Sequence, residues 1–194
     1  MSELNFLHSG GNKVTLTTPT SNPASNVTFK LPQSDGTAGQ VLQTDGNGNL
    51  SFVNPPTNTP AFSVYRNGTQ SISHNTYTKV QYNTENFDTD NTFDNSTNYR
   101  FTPAFSGKSY LVASIRLYGT DDFNNYILEI HKNGTAVLRQ QNSHWHYESA
   151  LVSGIVTHDT NDYFEVFVMQ QSGSSLVVMS GSPITYFMGY KLIE

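Results

Sequence analysis

Two Asp-Gly pairs, Asp35-Gly36 and Asp45-Gly46, punctuate residues 30–53 and constrain this chain more than any other feature. Asp-Gly supplies the positive-φ positions that tight hairpin turns require. Between and after the pairs, residues 40–44 and 49–53 are short runs whose apolar side chains alternate at strand period. Strands with so little apolar side chain cannot bury themselves within one chain. The segment therefore needs partners, most simply identical copies of itself. That points to an oligomeric, fibre-like protein rather than a free enzyme.

Composition agrees. Of the 194 residues 13 % are charged, well below the roughly 25 % usual in soluble domains. Aromatics reach 12 %, and Asn, Thr and Ser stand where Lys and Glu are ordinarily found. A surface polar by hydrogen bonding rather than by charge suits close packing of subunits. The formal charge of −5 argues against nucleic acid, which favours a basic face. There is no transmembrane run, and Met1-Ser2-Glu3 followed by polar residues does not read as a signal peptide, so no membrane insertion is expected. Without Cys the chain has neither a disulfide framework nor thiolate chemistry, which fits synthesis in a reducing cytosol.

The chain reads as three parts. Residues 1–53 are a β-rich anchor or stem, in which residues 14–17 and 27–31 alternate apolar and polar between Pro19, Pro23 and Pro32. Residues 54–60 carry Pro55, Pro56 and Pro60 and read as a semi-rigid linker, because proline fixes φ and lacks a ladder donor. In residues 61–194, strand-like runs at 110–117, 126–131, 150–156, 163–170 and 185–193 are spaced as in a β-sandwich. No window offers a helix. The fold class is all-β.

Two resemblances sharpen this. Residues 30–53 resemble a segment that recurs in bacteriophage tail-fibre and virion-surface proteins. Residues 61–194 resemble the C1q-like head domain, a relative of the tumour-necrosis-factor jelly roll. Five pieces carry the second likeness in order. Ala61-Phe62-Ser63-Val64 is similar to the family's opening strand, and Tyr99-Arg100-Phe101-Thr102-Pro103 with Gly107 and Tyr110 to its aromatic strand and turn. Residues 128–135 hold the Lys132-Asn133-Gly134 of bacterial and phage members. Residues 161–166 resemble the approach to the penultimate strands, and residues 187–192 the closing strand with its Gly189. Ser106 stands where animal members usually have proline, and Asn161 where glycine commonly precedes the aspartate. No collagen stalk is present, which favours a viral member.

The family resemblance implies a homotrimer that buries an aromatic-rich sheet around a threefold axis. The alternation is compatible with that. Tyr110, Val112 and Ser114 point one way and Leu111, Ala113 and Ile115 the other, while Tyr163, Glu165 and Phe167 oppose Phe164, Val166 and Val168. A strand apolar on both faces is buried on both. The alternative is that the aromatics merely enlarge a monomer core. Phe101, Tyr110, Tyr163, Phe187, Gly189 and Tyr190 are the residues expected in core or trimer packing.

Candidate ligand contacts fall in two places. On a strand His144 and His146 would share one face with Trp145 opposite. Three copies would gather six imidazoles for a transition metal, or Trp145 would offer a platform to a sugar; local packing is the ordinary alternative. Asp121 and Asp122, beside Asn124 and Asn125, offer oxygen ligands to a hard cation, but such a run is usually a solvated turn. No metal site is assigned and no cofactor is expected. No catalytic motif stands out, so no catalytic residue is assigned and the protein is not read as an enzyme.

The combined reading is a structural bacteriophage virion-surface protein, assembled in the host cytoplasm: a trimeric short fibre or knob, as capsid decoration or tail fibre. Its partners would be itself, other virion proteins through residues 1–53, and a host-surface glycan or protein. A soluble cytokine-like or lectin-like module is the alternative, and a polysaccharide depolymerase a more distant one.

Overall fold

Every regular element among the described residues, 3–118, 125–143 and 149–193 of the computed structural model, is a β-strand, as the alternating sequence requires. The strands fall into two units, Met1–Pro56 and Thr57–Glu194. The proline-rich stretch is shared between them. Within the second unit Pro60 is buried, its carbonyl accepts from Lys191 N at 3.0 Å, and the Lys191 carbonyl accepts from Asn58 Nδ2 at 2.9 Å.

The first unit is two antiparallel hairpins. β1 (Glu3–Leu7) pairs with β2 (Lys13–Thr17), and β3 (Val41–Thr44) with β4 (Leu50–Val53). The second hairpin turns through Gly46 and Gly48, at φ +80° and +87°. Asp45 closes that turn. Its carboxylate accepts from Asn49 Nδ2 at 2.6 Å and from the amides of Asn47 and Asn49 at 2.8 and 3.1 Å, which holds its acidity below the ordinary carboxylate value. The first Asp-Gly works differently from the expectation. Gly36 is not at positive φ; a Cβ there would come within 2.6 Å of the Phe52 ring, and the left-handed residue nearby is Gly39, at φ +88°. Residues 27–31 contribute only a bridge from Lys30 to Asn49, because Pro32 has no N–H with which to continue a ladder. None of the described residues of this unit is buried.

The second unit is a two-sheet sandwich. Its strands are β5 (Ala61–Tyr65), β6 (Gln70–Ile72), β7 (Thr78–Lys79), β8 (Thr84–Asp88), β9 (Phe93–Asp94), β10 (Arg100–Phe101), β11 (Gly107–Tyr118), β12 (Tyr126–Lys132), β13 (Thr135–Asn142), β14 (Ser149–His158), β15 (Phe164–Gln170), β16 (Leu176–Val178) and β17 (Tyr186–Lys191). A seven-stranded sheet runs β6-β16-β11-β17-β5-β8, with β14 on β11; a six-stranded sheet runs β13-β12-β15-β10-β9, with β7 on β15. All these pairings are antiparallel. Aromatic rings fill the space between the sheets. Phe62 stacks on Phe101 at 4.4 Å and on Phe93 at 5.4 Å, and meets the edge of Phe187 at 5.0 Å. Asn133 and Gly134, at φ +51° and +82°, turn β12 into β13 as a two-residue hairpin with both central residues left-handed. Asp162 braces that turn. It accepts from Asp159 N at 2.8 Å, from Lys132 Nζ at 2.9 Å and from Asn133 Nδ2, which pulls its carboxyl down to about 2.

Candidate functional site

The middle of the outward side of the seven-stranded sheet is largely apolar, between Lys108 and Arg116 toward the two ends of β11. Strand alternation sends Leu111, Ala113 and Ile115 into the core and Tyr110, Val112 and Ser114 outward. Register then aligns three rows across β14, β11, β17 and β5. One is Ile155, Tyr110, Tyr190 and Ala61; the next Ser153, Val112, Met188 and Ser63, extended by Phe87; the third Leu151, Ser114, Tyr186 and Tyr65. No residue in these rows is charged at neutral pH. Ile155 is 60 % exposed, Phe87 52 %, Leu151 49 % and Tyr190 40 %. The hydroxyls of Ser114 and Ser63 are engaged inside the chain: Ser114 Oγ donates to the Ile184 carbonyl at 3.2 Å, and Ser63 Oγ accepts from Asn86 Nδ2 at 3.1 Å. Between Phe87 and the Tyr110–Tyr190 pair, whose rings lie 5.8 Å apart, the face dips into an apolar groove. Apolar stretches of this kind on a sheet face are candidate interaction surfaces.

The expected packing residues separate by position. Tyr110 and Tyr190 lie on the apolar face, while Phe101 and Phe187 are in the core. Gly189 belongs to the core side. It pairs with Leu111 and Phe62, and a Cβ on it would come within 2.5 Å of Leu111 Cδ2, 2.8 Å of the Tyr110 carbonyl and 3.0 Å of Phe62 Cε1. Tyr163 precedes β15 and lies under the Arg100 guanidinium, 4.4 Å from the ring centroid.

The second face of β15 is covered by its own chain. Glu165 pairs with Lys79, and Phe167 stacks on His131 at 4.4 Å. Beside them Glu129, 3 % exposed, accepts from His131 Nε2 at 2.7 Å, with Arg139 Nη1 at 3.3 Å and the Tyr77 hydroxyl at 3.4 Å. Those donors occupy both carboxylate oxygens, so this cluster braces the six-stranded sheet. A Ser–His pair is likewise internal. His158 Nδ1–H donates to the Phe105 carbonyl at 3.0 Å, leaving Nε2 to accept from Ser109 Oγ at 2.9 Å. Both residues are buried, out of reach of a substrate.

His144, Trp145, His146, Asp121 and Asp122 lie outside the described residues. Among the described residues no group of three His, Asp or Glu is placed to hold a metal ion. Sequence reasoning reached Tyr110 and Val112 but missed Leu151, Ile155, Met188 and Phe87. For β14 the signal was available: Ala150, Val152 and Val156 fill one face and Leu151 and Ile155 the other.

No protein-family model matches the sequence, and no curated protein matches it. Solved structures do. Eiger TNF from S. frugiperda superposes with a TM-score of 0.53 at 11 % identity, over 69 % of this chain and 92 % of that one. Murine APRIL gives 0.54 at 12 % identity, over 68 % and 98 %. The globular domain of zebrafish complement 1qA protein gives 0.46 at 22 % identity, over 70 % and 99 %. With the two-sheet topology, the first two show that the sandwich has the TNF-like jelly-roll fold.

Proposed function

We propose that this chain is a non-catalytic, homotrimeric head and stem displayed on a bacteriophage particle, with residues 1–53 joining it to other particle proteins and the head contacting the host surface. The observation that carries the self-association is the apolar outward face of the seven-stranded sheet. Its occupant in this reading is the same face and the adjoining edge of two further copies. Its three rows carry no charge, and the exposed Ile155, Leu151, Phe87 and Tyr190 remain stranded in water unless a copy covers them. The particle-surface part rests on the resemblance of residues 30–53 and of the Lys132-Asn133-Gly134 hairpin. Three heads on one stem would sum weak host contacts into useful avidity.

Native mass spectrometry of the purified chain should give about three times 21.5 kDa. Ile155→Asp, which puts a charge on the apolar face beside Tyr110, should shift the mass toward one copy while leaving the far-ultraviolet spectrum of the sandwich unchanged. A folded monomer of the parent at micromolar concentration overturns the reading.

A further inference from the structure

The β1–β2 hairpin has one face made only of large apolar side chains. Leu4 opposes Leu16 and Phe6 opposes Val14, and all four are 55–66 % exposed. The other face holds Asn5 and Thr15, joined by a 2.7 Å hydrogen bond, together with Leu7 and Lys13. Nothing described within Met1–Pro56 covers the apolar face, since no described residue of that unit is buried. A two-stranded ribbon alone is marginal in water at best, and needs a third element against its apolar side.

We infer that the occupant of this face is the same face of two further copies of the chain, so that Leu4, Phe6, Val14 and Leu16 from three hairpins form one shared core. Such a core rests on the trimer proposed above. Another copy is present wherever the chain is made. The face carries no charged or hydrogen-bonding side chain, so a polar partner has nothing to recognise, whereas an identical face matches it in character and in extent. Heads that associate also hold their hairpins together through the connecting chain, at an effective concentration on the order of millimolar. A contact too weak to form between free hairpins is then populated.

The absence of cysteine from the sequence makes the test direct. Phe6→Cys in the full chain places a thiol on the apolar face, and Asn5→Cys places one on the opposite face. After mild oxidation Phe6→Cys should run as disulfide-linked dimer with the odd third copy left as monomer. Its maleimide labelling before oxidation should be severalfold slower than that of Asn5→Cys. Equal labelling of the two thiols overturns the inference, and so does slow labelling without cross-linking, which means the face packs elsewhere on its own chain. Native mass of the same samples separates the two claims. A trimer in which the thiol of Phe6→Cys stays freely labelled defeats the shared hairpin core alone, whereas a monomer defeats the trimer reading. Leu16→Asp provides a second measure: the mass should stay trimeric through the heads while residues 1–56 become sensitive to protease.

Discussion

Gly189 is the residue where the smallest change should be felt. A Cβ there meets a backbone carbonyl as well as Leu111 and Phe62, and the carbonyl cannot turn aside without breaking the β11–β17 ladder. Gly189→Ala should therefore lower stability by about 1–3 kcal/mol, the usual range for an overpacked core, readable as a shift in thermal midpoint. His158 makes a second prediction. Burial holds its imidazole below the ordinary histidine value, so the folded state favours the neutral ring. The stability it contributes is complete above about pH 6.5 and is lost as pH falls from there. His158→Gln keeps a donor for Phe105 and an acceptor for Ser109 without a titrating ring, so melting curves between pH 7 and 5 should fall less steeply than the parent's. That Gly189 marks a close approach was legible from its place in a strand pattern. The direction of the approach was not, because period two assigns a face only once one strand's inward side is known. The Ser109–His158 pair, spanning two strands, left no trace in local sequence.

At the level of the strand, β11, β14 and β15 are all apolar or buried on both faces, yet for different reasons. On β11 and β14 the second face looks out as part of the apolar sheet face. On β15 it is sealed by Lys79 and His131 from neighbouring strands. Periodicity reports that a face is shielded from water; it does not report by what. The two-faced argument therefore does not by itself separate β11, whose second face stays open within the chain, from β15, where Lys79 and His131 lie over Glu165 and Phe167. The same sealing orders two substitutions on the six-stranded sheet. His131→Ala removes the short bond to a buried carboxylate and should cost about 1–3 kcal/mol, the penalty for undersatisfying such a group. Arg139 is half exposed, and Arg139→Ala should cost under about 1 kcal/mol, as exposed ion pairs do. Denaturant midpoints of the two variants check the order. If Arg139→Ala is the more damaging, the buried carboxylate depends on the guanidinium rather than on the imidazole.

The whole molecule joins a unit with a full aromatic core to one in which no described residue is buried, and that asymmetry bears on which piece stands alone. The second unit buries Phe62, Phe101, Phe164 and Phe187 within itself, so it should fold without help from the first. A piece starting at Thr57 should keep its melting transition and its threefold mass, since the apolar face lies wholly within it. Association through that face should also be nearly indifferent to sodium chloride, because no charge lies in the three rows, and ionic screening acts on charges. Sulfate, which strengthens apolar burial, should tighten it. In the proposed particle-surface role, what the shortened piece should lose is attachment. Particles lacking the protein, mixed with the full chain, should be decorated in electron micrographs; mixed with the piece from Thr57, they should stay bare. A piece that decorates them as well as the full chain puts the attachment surface on the head and removes residues 1–53 from that role. A piece that neither decorates nor associates would instead place the missing contacts of the head in the first unit, and the apolar face of the seven-stranded sheet would need another occupant.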